Sequence, residues 1–285
     1  MLLLNIEKFL QIKENKFNMY LDIPNEFSKI NHIFSSCNLS LGDKQKMYEK
    51  ILDLRYDSSC HIIIRLDGKN FSHRVKQWKL KKPFDERFNK CMIKTCEILF
   101  NELQNVKWIW TGSDEISIIL NNEFVDGLFS RRISKVLSIS SSIATYAFNF
   151  AALKEGIDVE NYPAFFDSRL TVLPNEREVF CNILFRQNDC IRNSISQYSR
   201  AFYSAKELTS KGRDEQLKML LDKNFDWNKD APNWSKYGVK LFKVYDLYDL
   251  NTKTLKYTSN DPIETFDEKI EYVRTRISTE SKRFE

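Results

Sequence analysis

The apolar residues of this chain fall into short continuous runs separated by longer stretches where they recur every three or four positions. Continuous runs rich in β-branched and aromatic residues are typical of buried strands. They predict strands at about 61–66, 106–111, 116–120, 168–173 and 238–245, with 253–258 as a candidate partner of the last. Helical spacing predicts helices at about 86–104, 127–155, 176–208 and 213–223, and a shorter one through Met47, Tyr48 and Ile51. We expect a basic loop over 69–84.

The order of the central elements is strand, helix, two-stranded hairpin, helix, strand. This is the split βαβ, or ferredoxin-like, pattern, which is also the plan of polymerase palms and nucleotide cyclases. We therefore expect an α+β fold with long helices packed on a palm-like sheet, although a fold by itself proves no function. We expect residues 1–42 to form an amino-terminal extension, 43–258 the main domain and 259–285 a charged tail.

Two of the predicted strands are followed by a glycine and an aspartate. Asp67 is followed by Gly68, and Asp114 comes three residues after the second strand, behind Gly112 and Ser113. In the split βαβ sheet these strands are neighbours, so the two carboxylates can converge and hold Mg²⁺ with substrate phosphates. The Gly68 carbonyl is a further candidate ligand, and Glu115 alternates to the opposite face, which suits a supporting group. The alternative is that both segments are ordinary turns.

Basic residues follow the first of these aspartates. The predicted loop contains six cations and no acid before Asp85; they are Lys69, Arg74, Lys76, Lys79, Lys81 and Lys82. Turn amides and lysines can cradle phosphate, and His73 is a candidate phosphate contact. A second cluster over 131–135 begins the long helix, where anions are favoured. Each cluster could instead be a solvated face.

Composition narrows the class of protein. The 285 residues are 42% hydrophobic and carry a net charge of +5, which is too small to prove a polyanionic partner. Six cysteines without a C-x-x-C pair indicate reduced thiols of an intracellular protein. We expect no membrane span, no secretory signal and no organellar transit peptide. The cytosol is therefore the default location, with an organelle left open.

An ordered set of motifs resembles the tRNA-His guanylyltransferase family, whose members are 3′–5′ polymerases. The matching segments are 65–71, 82–87, 112–115, 131–135, 166–169 and 186–190, and the resemblance covers roughly residues 43–246. It implies a nucleotidyltransferase with a palm-like catalytic domain and two Mg²⁺ ions. It also implies a homotetramer that takes tRNA and nucleoside triphosphates.

The resemblance implies roles for particular residues. Asp67, Asp114 and the Gly68 carbonyl would bind metal, with Asp67, Asp114 and Glu115 as the catalytic carboxylates. Nucleotide contacts are implied for Asp67, Gly68, Lys69, Asn70, Phe71, Ser72, Ser113 and Asp114, and triphosphate or tRNA contacts for Lys82, Asp85, Arg132 and Lys135. The family reaction activates a tRNA 5′ end with ATP or GTP, and the 3′-hydroxyl of an incoming nucleotide then attacks it.

Two departures bear on the substrate. Dedicated tRNA-His enzymes carry His-Ile-Asn-Asn where this chain has Ile191, Arg192, Asn193 and Ser194, and Ser72 stands where a His is frequent. Both departures resemble the guanylyltransferase-like branch. The sequence therefore favours template-dependent repair or editing of 5′-truncated tRNA over addition of a single G to tRNA-His.

Three alternatives stay open at this point. The first is the dedicated guanylyltransferase. The second is another palm enzyme, such as a cyclase or a conventional 5′–3′ polymerase, which leaves the motifs at 82–87 and 131–135 unexplained. The third is a non-catalytic tRNA-binding protein, which would not need both Asp67 and Asp114.

Overall fold

The structure, a computed structural model, describes residues 40–49, 53–121, 126–244 and 256–257. The chain divides into two units, 1–52 and 53–285, and each is described by itself. In the first, helix α1 (Leu41–Glu49) begins after Ser40, whose hydroxyl accepts a hydrogen bond from the Asp43 amide. Apart from its last three residues, the predicted extension lies outside the described residues, as does all of the charged tail.

The second unit contains the central strands and helices in the predicted order. Its elements are β1 (His61–Gly68), α2 (Phe71–Gln77), α3 (Glu86–Glu102), β2 (Val106–Gly112), β3 (Glu115–Leu120), a 3₁₀ turn (Leu128–Arg131), α4 (Ile133–Lys154), β4 (Phe166–Leu173), α5 (Glu176–Phe202), α6 (Ala205–Leu208), α7 (Arg213–Asp222), α8 (Trp227–Asp230), α9 (Asn233–Tyr237), β5 (Val239–Val244) and β6 (Lys256–Tyr257). The five main predicted strands and the pairing of 256–257 with β5 are confirmed.

The strands form one antiparallel sheet with the order β4-β1-β3-β2-β5-β6. β1 lies between β3 and β4, so the strand that ends in Asp67 pairs directly with the strand that follows Asp114. Helices pack on this sheet, so the predicted α+β class is confirmed. The sheet also explains why Ile62, Ile63 and Ile64 are consecutive apolar residues, because both faces of β1 are covered.

Alternation along β1 sends side chains to two separate cores. Ile62, Ile64 and Leu66 belong to a large cluster that includes residues of α3 and α4. Ile63 points to the other face, where it joins a smaller cluster that includes Val179 and Ile183 of α5. The sheet is therefore a middle layer with α3 and α4 on one face and α5 on the other.

The carboxyl-terminal part of α5 enters a third cluster. Ile191, Ile195 and Tyr198 pack there with Leu220 of α7 and Trp227 of α8. The predicted helix over 176–208 is too long, because α5 ends at Phe202 and a separate short helix begins at 205. The helices α8 and α9 were not predicted.

The predicted loop over 69–84 is wrong in its first half, where α2 forms. Phe71, Val75 and Trp78 recur at positions i, i+4 and i+7, and all three pack against the large core cluster. Phe71 and Trp78 also contact each other edge to face, with ring centroids 5.1 Å apart. This apolar face, and not the basic residues beside it, determines the local structure.

Helix α4 is long and apolar enough, by length and composition, to cross a membrane, which the sequence reading did not expect. Its 22 residues have a hydropathy of 1.4 over the most apolar window. However, Val136, Ala144, Ala147 and Phe148 are fully buried within the protein. Packing against the sheet and α3 therefore accounts for the apolar character of that face.

Candidate active site at the carboxylate end of the sheet

The carboxylates singled out in the sequence meet at one end of the sheet. Asp67, near the end of β1, lies opposite Glu115 of β3 on one side and Asp167 of β4 on the other. Asp114 immediately precedes β3, and its carbonyl accepts a hydrogen bond from the Gly68 amide at 3.1 Å. We call this region the carboxylate end of the sheet, defined by Asp67, Asp114, Glu115 and Asp167.

The backbone after Asp67 turns closely over an aromatic ring. A Cβ atom on Gly68 would lie 2.5 Å from ring atoms of Phe71, which leaves space for glycine alone. Asn70 adopts a left-handed conformation with φ 56° where α2 begins. The Phe71 side chain is only 2% exposed and supports the turn from the core, whereas Ser72 and His73 are exposed.

The carboxylate of Asp114 is held in an unfavourable electrostatic environment. Burial raises the pKa of the Asp114 carboxyl above its ordinary value, and the negative charge of Asp67 raises this pKa further. The Ser113 hydroxyl donates a hydrogen bond to Asp114 Oδ1 at 3.1 Å, which acts in the opposite direction with a smaller effect. A cation between the two carboxylates would offset both the cost of burying the Asp114 charge and its repulsion by Asp67.

Magnesium fits these residues. Among the described residues, no group of three His, Cys, Asp or Glu side chains is arranged to hold a metal ion. Magnesium needs fewer protein ligands, because it usually takes one or two carboxylates together with water and substrate phosphates. Asp67 and Asp114 form a pair of this kind, because the charge of Asp67 raises the pKa of Asp114. Gly68 is bonded to Asp67 in the chain, and its amide donates a hydrogen bond to the Asp114 carbonyl.

Glu115 is bound by two arginines. Arg65 Nη2 donates to Glu115 Oε2 at 2.8 Å and to Asp67 Oδ2 at 3.3 Å. Arg186, from α5, places its Nε 3.5 Å from Glu115 Oε1. The exposed Arg169 adds a longer contact, 3.9 Å, to Asp67. The carboxylate end therefore contains a line of alternating charges that ties Glu115 to the protein.

The sequence reading did not assign roles to Arg65 and Arg186. Arg65 had a usable signal, because it lies two residues before Asp67 and side chains two apart share a strand face. Arg186 stands in the motif at 186–190, but nothing in the sequence pointed to its partner, since it is 71 residues beyond Glu115 and only the packing of α5 on the sheet brings them together. A helix that crosses a sheet face can reach strand residues at any separation in sequence.

Several of the other predicted residues lie near the carboxylate end. Lys69 follows Gly68 directly and is exposed, and Lys82 is exposed in the segment before α3. Asp85 caps α3: its carboxylate accepts hydrogen bonds from the Lys81 and Arg87 amides and from the Arg87 guanidinium. These contacts lower the pKa of Asp85 to about 2.

Two predicted nucleotide contacts lie at the opposite end of the sheet. The Arg131 carbonyl accepts a hydrogen bond from the Tyr56 amide, close to the start of β1, and α4 begins two residues later. Arg132 forms an ion pair with Asp53 at 2.6 Å, and Lys135 is exposed. Lys135 lies in the first turn of α4, and Ser140, five residues further on, already contacts the Ser168 hydroxyl at 2.9 Å, where Ser168 pairs with Leu66. Arg132 and Lys135 are therefore held toward the end of the sheet opposite to Asp67.

Comparisons with known proteins converge on one family. The family model described as tRNAHis guanylyltransferase matches residues 42–174, from α1 to just after β4. The chain is 27% identical to an uncharacterised protein of Acanthamoeba polyphaga mimivirus, over 87% of this chain and 91% of that one. It is 26% identical to the probable tRNA(His) guanylyltransferase of Homo sapiens, over 80% of each chain.

Solved structures agree with these sequence matches. A bacterial tRNA(His) guanylyltransferase (Thg1)-like protein in complex with ATP superposes with a TM-score of 0.70 at 29% identity, covering 80% of this chain and 96% of that one. A structure described as the same kind of protein in complex with GTP superposes with a TM-score of 0.64 at 28% identity, covering 82% of this chain and 98% of that one. With the fold and the carboxylate end, these likenesses define the class of protein: it is a nucleotidyltransferase. Over residues 42–174 the chain is similar to the tRNAHis guanylyltransferase family.

Proposed function

We propose that this protein is a template-dependent 3′–5′ nucleotidyltransferase that repairs or edits 5′-truncated tRNA. In this proposal residues 43–258 form a palm-like catalytic domain, which activates the tRNA 5′ end with ATP or GTP and then adds nucleotides to it. The observation that carries the proposal is the electrostatically coupled pair Asp67 and Asp114, supplied by adjoining strands of one sheet. The cytosol is the proposed location.

The nucleotide part of the proposal rests on the bacterial relatives in complex with ATP and with GTP. Lys69 and Lys82 are exposed near the carboxylate end and suit the phosphates of such a nucleotide. The close contact between Gly68 and the Phe71 ring holds the backbone from Gly68 to Phe71 in one conformation, so the amides of this turn can orient the nucleotide.

Two Mg²⁺ ions complete the proposed site. Asp67, Asp114 and the Gly68 carbonyl would hold them, and bound magnesium supplies charge neutralisation for the triphosphate and polarisation of the attacking hydroxyl. Glu115 would support the site indirectly, through its contacts with Arg65 and Arg186. Excluding water from the half-buried Asp114 strengthens its interaction with any bound cation.

Template-dependent repair is favoured over single G addition by the segment after Cys190. Where dedicated enzymes carry the final Asn of their His-Ile-Asn-Asn motif, this chain has Ser194, which is buried and accepts a hydrogen bond from Trp227 Nε1 at 3.1 Å. The dedicated guanylyltransferase remains the second candidate, because the family model and the human relative carry that name.

The substrate test uses a panel of tRNAs that lack their first 5′ nucleotide, with each of the four bases opposite the vacancy. Repair predicts that the added nucleotide follows the opposite base in every tRNA. Addition of G to intact tRNA-His alone, whatever the opposite base, would refute the repair proposal and support the second candidate. Growth at the 3′ end would refute both.

We also propose that the protein assembles as a homotetramer. Arg132 and Lys135 lie toward the end of the sheet opposite to Asp67, so a second copy is the natural source of these cations for a tRNA bound at the carboxylate end. Sedimentation gives the mass of the assembly. Mixing inactive Asp67→Asn subunits with inactive Lys135→Gln subunits should restore activity; failure to restore it would contradict shared sites.

A further inference from the structure

Three charged side chains are enclosed between the sheet and α5. Arg65 of β1, Glu115 of β3 and Arg186 of α5 expose only 20%, 16% and 21% of their side chains. Glu115 has one arginine on each carboxylate oxygen: Arg65 at Oε2 and Arg186 at Oε1. Since Arg65 Nη2 is shared with Asp67, the three side chains form a continuous connection from α5 to a proposed metal ligand.

The connection is close but incomplete. Arg65 Nε, Glu115 Oε1 and Arg186 Nε are all buried, and none of them has a hydrogen-bond partner. The distance of 3.5 Å between Arg186 Nε and Glu115 Oε1 is longer than a good hydrogen bond, by about 0.5 Å. Because a buried charge without a partner is costly, each of these groups depends on the others. A small movement of α5 is enough to form or break the contact.

We propose that Arg186 is a positioning residue for Asp67, acting through Glu115 and Arg65. Arg186 attracts one oxygen of Glu115 through the ion pair at 3.5 Å, so the other oxygen is kept toward Arg65. Arg65 in turn donates a hydrogen bond to Asp67 Oδ2 at 3.3 Å. Without Arg186, Glu115 rotates and Arg65 loses its fixed position, so Asp67 no longer presents a defined geometry to a metal ion. The inference rests on the proposed function, in which Asp67 binds metal.

The test is the affinity for Mn²⁺ alone, measured by water-proton relaxation without tRNA or nucleotide. Changes to groups that orient a metal ligand typically cost 10- to 100-fold in metal affinity. We expect Arg186→Gln to raise the Mn²⁺ Kd at least tenfold and Arg186→Lys to recover part of the loss. Arg200→Gln, which removes an exposed arginine from the same helix, is the matched control and should leave the Kd unchanged. An unchanged Kd in folded Arg186→Gln would overturn the inference.

A thermodynamic cycle keeps the test decisive if Arg186→Gln folds poorly. Glu115→Gln should raise the Mn²⁺ Kd by a similar factor, and combining it with Arg186→Lys should add no further loss, because both changes break the same connection. Losses that multiply in the double variant would show that Arg186 acts independently of Glu115, and this would overturn the inference.

The same assay separates this inference from the proposed function. Asp67→Asn should abolish Mn²⁺ binding at the carboxylate end. If it does so while both changes at Arg186 leave the Kd unchanged, only the positioning role is wrong. If Asp67→Asn itself leaves Mn²⁺ binding unchanged, the metal assignment is wrong, and the inference is overturned with it.

Discussion

Asp85 offers a quantitative test of the local structure beside the carboxylate end. Its side chain is 3% exposed and makes an ion pair with Arg87, with Oδ2 and Nη2 2.8 Å apart. The pKa of about 2 is below the ordinary 3.8, mainly because of the hydrogen bond from Arg87, with the Lys81 and Arg87 amides helping and burial opposing. This difference corresponds to about 2.4 kcal/mol of stability. Since Arg87 is 37% exposed, solvent screening reduces it to about 1–2 kcal/mol.

The direction of the pH dependence follows from the lowered pKa. The stabilisation is fully present above about pH 5, where Asp85 is ionised in both folded and unfolded chains, and it is lost as the pH falls toward 2. About half should be lost at pH 3. The variant Asp85→Asn keeps a capping oxygen but has no charge, so its deficit relative to wild type should shrink as the pH falls.

Urea denaturation of wild type, Asp85→Asn, Arg87→Gln and the double variant between pH 7 and pH 3 measures the effect. The difference in unfolding free energy between wild type and Asp85→Asn should be largest at pH 7 and shrink by about half at pH 3. The coupling energy of the cycle should shrink in parallel. A difference that stays constant with pH would refute the reasoning that the ion pair, and not only the cap, stabilises this segment.

Three further predictions concern the site and its surroundings. Asp114→Asn should abolish nucleotide addition yet raise the Tm of metal-free protein, because it removes a buried charge beside Asp67; a lower Tm in thermal denaturation would contradict this. Gly68→Ala should destabilise the protein by about 1–3 kcal/mol in urea, since its Cβ would meet the Phe71 ring; a change below about 0.5 kcal/mol would show that the turn relaxes freely. Burial raises the pKa of the Cys91 and Cys190 thiols to about 12, so both should resist a thiol reagent at pH 8 until urea unfolds the chain, and fast native labelling would disprove their burial.

The sequence was sufficient for the sheet because its strands have a strong local signal. The runs at 61–66 and 116–120 are mostly apolar. Asp67 and Gly68 follow the first run, and the turn from Gly112 to Asp114 precedes the second. Helical spacing over 86–104 likewise located α3 to within two residues of its end. Element order then determined which strands are neighbours, and so it predicted that Asp67 lies beside the strand following Asp114.

What the sequence could not supply is contact between distant segments. The helix α2 was hidden because it lies in the segment 69–84, which is rich in lysine and arginine, although Phe71, Val75 and Trp78 mark its buried face. The separation of Arg132 from Asp67 also escaped notice, since both belong to motifs of one family. The direction of α4 determines where Arg132 lies, because this helix begins at the end of the sheet where β1 starts, opposite the carboxylate end.

Helix α5 connects the chemistry of the site to the segment in which this chain departs from the His-Ile-Asn-Asn motif. Arg186 reaches Glu115, and two turns later Ser194 is buried against Trp227. In between, Arg192 and Asn193 face outward. A residue larger than serine at 194 would have to displace Trp227 or shift the helix, because interiors are close-packed. Since a shift of about 0.5 Å decides whether Arg186 bonds to Glu115, packing around Ser194 and the geometry of the carboxylate end are expected to change together.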